Sequence, residues 1–168
     1  MTVTSIEAIV RKLNDAGVPF LVVGGLAVVA HGYGRLTQDV DLVIQLDPVT
    51  IHRAFDALAA IGYRPIVQVD SAAFADAEQR RRLIDEKGLT VLNFWSDTHR
   101  DTPVDVFVSE PFDFEYEYRN AMVQEIADGV PIRVLRLSAL IEMKKTAGRL
   151  QDLADIEELR LLHGSEET

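Results

Sequence analysis

The 168-residue sequence predicts an α/β (α+β) fold: a mixed β-sheet flanked by helices, with a helical C-terminus. In the first half, short apolar segments of strand length alternate with amphipathic helical segments, whereas the later strand-like segments follow one another closely. A chain of this length buries roughly two-thirds of its unfolded surface, and no repeat or linker divides it. We therefore expect one domain over 1–168, with a core over 1–136 and C-terminal helices over 137–163.

Helix and strand signals alternate in the first half of the chain. Thr4 and Glu7 have the spacing of a capping box, which predicts a first helix that ends before Gly17. Asp47 followed by Pro48 is typical of a helix start, and Gly62 marks the end of that helix. Between these helices we predict a strand over 20–23, a short helix over 26–31 and a second strand over 39–45.

The second half contains more strand signals. Apolar and β-branched content predicts strands over 66–69, 90–95 and 104–108, and a helix over 72–86. Asp128 and Gly129 lie between two apolar stretches and predict a hairpin turn. Two helices, over 138–147 and 152–162, complete the predicted fold.

Composition excludes several classes of protein. A net charge of −10 argues against a general nucleic-acid binder, because the chain repels phosphates, but leaves RNA binding by a local basic cluster open. The densest such cluster, Arg80 to Arg82, has acidic residues at helical spacing on both sides, which indicates helical ion pairs. The absence of cysteine excludes disulfides and thiolate chemistry. The N-terminus lacks the apolar run of a signal peptide, and no stretch is long enough to span a bilayer. We expect a cytoplasmic protein with no membrane partner.

Three aspartates in apolar strands form the candidate catalytic centre. Asp39 and Asp41 project from the same face of one predicted strand, while Asp105 is the single charge in another. Neighbouring carboxylates repel each other unless a cation lies between them, and an all-oxygen site suits Mg²⁺ or Mn²⁺. Such a site supports phosphoryl or nucleotidyl transfer. The alternative for Asp105 is an ion pair with Arg35 or Arg133.

Gly24 and Gly25 end the first predicted strand and begin the short helix. Glycines allow the backbone to approach a phosphate, and free N–H groups at a helix start favour an anion. The pair alone is weak evidence, because tight turns require glycine in any case. Its significance comes from its position before the aspartates.

This arrangement resembles the nucleotidyltransferase superfamily, the polymerase-β-like fold. The matching residues are a glycine pair after the first strand, a short helix, Asp-hydrophobic-Asp on the next strand and a later carboxylate: Gly24, Gly25, Asp39, Asp41 and Asp105. More closely, the chain resembles the bacterial abortive-infection toxin-type (AbiEii-like) branch. That likeness rests on His31-Gly32, Arg35, Thr37 and "DVDLVI", and on "EMKKTAGRLQDLADIEEL" with Lys144, Arg149, Asp152 and Asp155.

The resemblance implies transfer of a nucleoside monophosphate from a nucleoside triphosphate to a hydroxyl. Asp39, Asp41 and Asp105 would bind the metal, and Asp105 would help to deprotonate the acceptor. Gly24, Gly25, Arg35 and Thr37 would contact phosphate, and Lys144 would steady the pyrophosphate. Asp152 and Asp155 have a simpler interpretation as anchors between the C-terminal helices.

The function stays open between three alternatives, two of which differ in the acceptor. Toxin-type relatives imply an RNA acceptor such as tRNA and a cognate antitoxin, whereas antibiotic-modifying relatives imply an aminoglycoside or lincosamide. The third alternative is an interaction module that binds nucleotide without turnover. Many superfamily members have serine directly after the glycines, and this chain has Leu26.

Overall fold

In the computed structural model, which describes residues 1–164, helices and strands alternate along most of the chain. The helices are α1 (Val3–Asp15), α2 (Gly24–Ala30), α3 (Pro48–Ala60), α4 (Ser71–Ala75), α5 (Ala77–Lys87), α6 (Phe114–Arg119), α7 (Leu137–Ala147) and α8 (Leu150–His163). The strands are β1 (Phe20–Val22), β2 (Val40–Ile44), β3 (Tyr63–Pro65), β4 (Val91–Ser96), β5 (Val104–Phe107), β6 (Met122–Ala127) and β7 (Val130–Val134).

The strands form one mixed sheet in the order β3-β4-β5-β2-β1-β7-β6. At its centre β1 pairs antiparallel with β2, and β2 pairs parallel with β5. The end of β1 therefore meets the beginnings of β2 and β5 at one edge of the sheet. The predicted metal ligands Asp39, Asp41 and Asp105 lie at this edge. The predicted mixed sheet flanked by helices is confirmed.

Local capping explains several element boundaries. Asp47 accepts a hydrogen bond from the amide of Thr50 and begins α3, as predicted. The predicted capping box at Thr4 is wrong, because Thr2 caps α1 by accepting from the amide of Ser5. The Thr2 amide also donates to Thr102 Oγ1 at 3.1 Å, so the residue that caps α1 is held by a partner 100 positions away in the sequence.

Two predicted elements differ in the structure. The third strand covers Tyr63–Pro65 instead of 66–69, and Ile66 just beyond it is 66% exposed. The predicted helix over 72–86 is two helices, because Asp76 has an extended conformation and caps α5. Helix α6 was not predicted, whereas the hairpin turn at 128–129 joins β6 to β7 as expected.

No helix within residues 1–164 is long and apolar enough to cross a bilayer. The apolar side chains between the helices and the sheet form one buried cluster that extends from α1 to α8. The single domain over 1–168 stays a prediction, and its last four residues lie outside the described part of the chain.

Candidate active site

The aspartate triad, Asp39, Asp41 and Asp105, lies where β2 and β5 begin. Parallel pairing of these strands places Asp41 directly opposite Asp105, and Asp39 precedes β2 by one residue. One carboxylate oxygen from each aspartate lies within 4.8 Å of the other two. The triad is partly buried, so a small cation placed between the oxygens would bind all three side chains at once.

The electrostatics of the triad show the cost of bringing these carboxylates together. Burial, followed by the charges of Asp39 and Asp105, raises the pKa of Asp41 to about 6. Burial and the charge of Asp39 also raise the pKa of Asp105, although a hydrogen bond from Asn93 opposes the increase. The site therefore disfavours negative charge unless a cation compensates it.

The glycine pair occupies the first turn of α2 and packs against the same carboxylates. Gly24 has a φ of +61°, and a Cβ at that position would lie 2.6 Å from Cγ of Asp41. A Cβ on Gly25 would lie 2.9 Å from Cβ of Thr37. The Gly25 amide interacts with the Asp41 carboxylate and opposes the increase in its pKa. The glycines are thus required by the approach of Asp41 and Thr37, and their contact with phosphate stays a prediction.

The segment 31–39 between α2 and β2, hereafter the α2–β2 loop, carries the other two predicted phosphate-contacting residues. Thr37 Oγ1 donates to Asp39 Oδ1 at 3.5 Å, so its hydroxyl faces the triad. Arg35 turns toward the C-terminal helices and forms an ion pair with Asp155, with Nε 2.8 Å from Oδ1. The alternative in which Arg35 neutralises Asp105 is therefore wrong. The other suggested partner, Arg133, lies over the Tyr118 ring.

A charged cluster joins α7 to α8. The Lys144 ammonium is buried and donates to Asp152 Oδ1 at 3.0 Å and to Asp155 Oδ2 at 2.7 Å. Asp152 also accepts from the side chain of Arg149 at 2.7 Å, and both carboxylates are almost fully buried. Asp152 and Asp155 therefore anchor α7 to α8, in agreement with their simpler interpretation as anchors between the C-terminal helices. Lys144 was expected at the leaving pyrophosphate, but its charge lies between these two carboxylates.

Sequence reasoning missed Asn93, and it named Arg149 in the C-terminal motif without a role at the triad. Asn93 on β4 lies opposite Asp105 on β5 and donates to its Oδ1 at 2.7 Å. Its signal was a lone amide within the apolar stretch 91–95. Arg149 has a side chain that is 77% exposed, and its positive charge acts on both Asp41 and Asp39. The C-terminal motif includes Arg149, but the approach of its charge to the triad depends on how α8 packs.

No protein-family model and no curated protein sequence matches the chain. Solved structures are similar over nearly its whole length. The solution structure of the antibiotic-resistance factor ANT(2'')-Ia is 18% identical, with a TM-score of 0.61, and the match covers 98% of this chain and 85% of that one. The crystal structure of ANT(2'')-Ia in complex with adenylyl-2''-tobramycin is 15% identical, with a TM-score of 0.60 and coverage of 98% and 90%.

A third similar structure is that of a protein from Paracoccidioides brasiliensis. The nucleotidyltransferase-like protein from Paracoccidioides brasiliensis is 18% identical, with a TM-score of 0.57, and the match covers 95% of this chain and 75% of that one. The chain has the nucleotidyltransferase fold. The predicted fold is therefore confirmed by both the sheet and its structural neighbours.

Proposed function

We propose that this chain is a metal-dependent nucleotidyltransferase that moves a nucleoside monophosphate from a nucleoside triphosphate to a hydroxyl acceptor. The observation that carries the proposal is the convergence of Asp39, Asp41 and Asp105 within 4.8 Å of one another at the strand edge. The nucleotidyltransferase fold of the chain supports the same reaction class. Nucleoside triphosphates are abundant in the cytoplasm, which is the location that we propose for the enzyme.

The residues of the triad suit Mg²⁺ or Mn²⁺. They offer carboxylate oxygens, which these hard cations prefer, and a cation among them would favour the ionised form of Asp41, whose pKa is raised by burial and by its neighbours Asp39 and Asp105. Bound there, the cation would neutralise charge on the phosphates and make the acceptor hydroxyl easier to deprotonate. In this proposal Asp39 and Asp41 hold the metal, and Asp105 both contacts it and serves the acceptor.

Asp105 is the residue that we assign to proton transfer. Asn93 holds its Oδ1 by a hydrogen bond of 2.7 Å, which leaves Oδ2 to accept the proton of the acceptor hydroxyl. The acceptor oxygen then forms a bond to the α-phosphorus, the bond from that phosphorus to the bridging oxygen breaks, and pyrophosphate leaves. The raised pKa of Asp105 makes it a stronger base than an ordinary aspartate once it is ionised.

Phosphate contacts come from residues around the triad. Gly24, Gly25 and Thr37 lie beside Asp41 and Asp39, so we keep their proposed contacts with the triphosphate. Arg149, in place of Lys144, makes the proposed contact with the leaving pyrophosphate. The Arg149 side chain is exposed and acts on the triad, whereas the ammonium of Lys144 is buried between two carboxylates.

Different observations point to different acceptors. The motifs that resemble the AbiEii-like branch favour an RNA acceptor such as tRNA and, with it, a cognate antitoxin. The net charge of −10 and the similarity to ANT(2'')-Ia, which was solved with adenylyl-2''-tobramycin, favour a small cationic antibiotic as the second candidate. Both candidates use the same triad and the same transfer step.

Incubation with α-labelled nucleoside triphosphates tests the reaction and its acceptor together. Purified protein is mixed with Mg²⁺ or Mn²⁺ and with either total tRNA or an aminoglycoside and lincosamide panel, and labelled product is measured. We expect metal-dependent label transfer that Asp41→Ala abolishes, while Asp97→Ala, in an exposed ion pair, retains it. Equal transfer by Asp41→Ala and wild type would refute the assignment.

The same experiment distinguishes a module that only binds nucleotide. Calorimetric binding of a triphosphate without label transfer to any acceptor would replace the enzyme proposal by that alternative. In cells, toxicity on induction that Asp39→Ala relieves would favour the RNA acceptor. Drug resistance that depends on Asp39 would favour the antibiotic acceptor.

A further inference from the structure

Asp155 lies on α8, outside the predicted core over 1–136, but direct contacts link it to the catalytic centre. We propose that Asp155 is a positioning residue that holds the α2–β2 loop, through Arg35, in the conformation that presents Thr37 and Asp39 to the triad. This inference rests on the proposed function, because it assigns Asp155 and Arg35 to the support of that site.

The Asp155 carboxylate is fully buried and meets three donor side chains. Its Oδ1 lies 2.8 Å from Arg35 Nε and accepts from Gln151 Nε2 at 2.9 Å. Its Oδ2 accepts from Arg35 Nη2 at 2.9 Å and from Lys144 Nζ at 2.7 Å. Burial opposes ionisation of Asp155, but the hydrogen bonds from Lys144, Gln151 and Arg35 outweigh it and lower its pKa. A buried charge with so many donors holds its partners in one geometry.

Arg35 carries this constraint into the α2–β2 loop. The loop contains neither helix nor strand, and Leu36, its apolar residue next to Arg35, is 96% exposed and anchors nothing. His31 at the start of the loop contacts His163 of α8 through its carbonyl, and Arg35, with a side chain only 18% exposed, makes the contact with α8 that lies nearest to Thr37. Its Nη1 also donates to the Leu36 carbonyl at 2.9 Å, so the guanidinium fixes the backbone that leads to Thr37.

The fixed segment ends at the catalytic centre. Thr37 Oγ1 donates to Asp39 Oδ1, and both Thr37 and the Arg35 guanidinium pack against Gly25 so closely that a Cβ there would lie 3.0 Å from Nη2. A path of direct contacts therefore runs from Asp155 through Arg35 to Thr37 and Asp39. Asp155 has no exposed surface through which to touch a substrate, so its influence on the reaction passes through this path.

Amide hydrogen exchange of the protein without metal or nucleotide tests this path independently of activity. Asp155→Asn and Arg35→Met each remove the ion pair. The amides of Tyr33 and Val40 donate to the carbonyls of Val28 and Pro103 near the two ends of the loop, and we expect them to exchange at least about ten-fold faster while those of α3 do not change. The control Arg64→Met also removes an Arg–Asp ion pair, but the exposed one with Asp97, and should leave amide exchange at the loop unchanged. The Arg35→Lys variant keeps the charge without the two-nitrogen contact and should restore part of the protection.

Mn²⁺ titration calorimetry provides the second readout. We expect Arg35→Met and Asp155→Asn to weaken Mn²⁺ binding by about 10-fold or more, as loss of a group that orients a metal ligand does. The double variant should bind Mn²⁺ no more weakly than the single variant with the lower Mn²⁺ affinity, because both changes break the same path. If Asp155→Asn fails to fold, Arg35→Met on the surface loop carries the test alone.

The outcomes separate the two proposals. Unchanged exchange at Tyr33 and Val40 in Arg35→Met overturns the positioning role, and a raised KM for the triphosphate with unchanged exchange makes Arg35 a substrate contact instead. A wild-type protein that neither binds Mn²⁺ nor transfers label refutes the proposed function. Faster loop exchange in the variants would still support the path from Asp155 to the loop in that case.

Discussion

Replacing Asp41 by asparagine should stabilise the metal-free protein while it abolishes nucleotidyl transfer. Asp41 is held against Gly24 and beside Asp39 and Asp105, in surroundings that raise its pKa from 3.8 to about 6. A carboxylate with a raised pKa favours the folded state when it is protonated and opposes folding when it is ionised. Asparagine has nearly the same shape and no charge, so it removes this opposition.

The magnitude depends on pH. Each pH unit between the two pKa values corresponds to 1.36 kcal/mol, so the ionised carboxylate lowers the free energy of unfolding by about 3 kcal/mol at pH 7. This loss develops as the pH rises from about 4 through about 6, and at pH 4 it falls to about 0.6 kcal/mol. Asp41→Asn should therefore exceed wild type in stability by about 3 kcal/mol at neutral pH and by much less at pH 4.

Urea unfolding in the presence of a chelator measures the difference at both pH values. Asp97→Asn, which removes an exposed carboxylate paired with Arg64, serves as the control and should change stability by less than about 1 kcal/mol. Addition of Mn²⁺ should stabilise the wild type by about 2.7 kcal/mol at a hundred times its dissociation constant, and Asp41→Asn by less.

The result that would refute this reasoning is a variant no more stable than wild type at pH 7 without divalent cations. It would mean that burial and the neighbouring carboxylates do not oppose the negative charge of Asp41 in the folded protein. An equal gain at pH 4 and pH 7 would also contradict it, because a gain from removed charge must follow the titration of Asp41.

Three further predictions concern the surroundings of the triad. Gly24 and Gly88 both have positive φ, but only at Gly24 would a Cβ collide with the triad. Gly24→Ala should therefore lower the free energy of unfolding by about 1–3 kcal/mol more than Gly88→Ala, as measured by thermal unfolding. Asn93→Ala should raise the pKa of Asp105 further, so the acid limb of the pH–rate profile should move to higher pH, whereas an unmoved limb would exclude Asp105 as the base. Lys144→Met should destabilise the protein by about 3–5 kcal/mol in urea unfolding, because it removes a buried cation from two buried carboxylates; a loss below about 1 kcal/mol would contradict that account.

Much of the fold was predictable because its signals are local. Asp47 before Pro48 specifies the start of α3, and Asp128 with Gly129 specifies the β6–β7 turn, through contacts within a few residues. The third strand was misplaced because apolar content in 66–69 suggested burial, while the strand forms where β4 offers hydrogen bonds, at Tyr63–Pro65. Pairing partners, and not intrinsic preference, determine the bounds of so short an edge strand.

The catalytic centre divides in the same way. Alternation along a strand places Asp39 and Asp41 on one face, and that much follows from the chain alone because the backbone geometry of a strand has a period of two residues. Only the tertiary structure pairs β2 with β5 in the register that sets Asp41 against Asp105, and only it brings Asn93 to the triad and Asp155 to Arg35. These contacts join residues that are distant in sequence, so their geometry depends on how the sheet and the C-terminal helices pack, which no local pattern encodes.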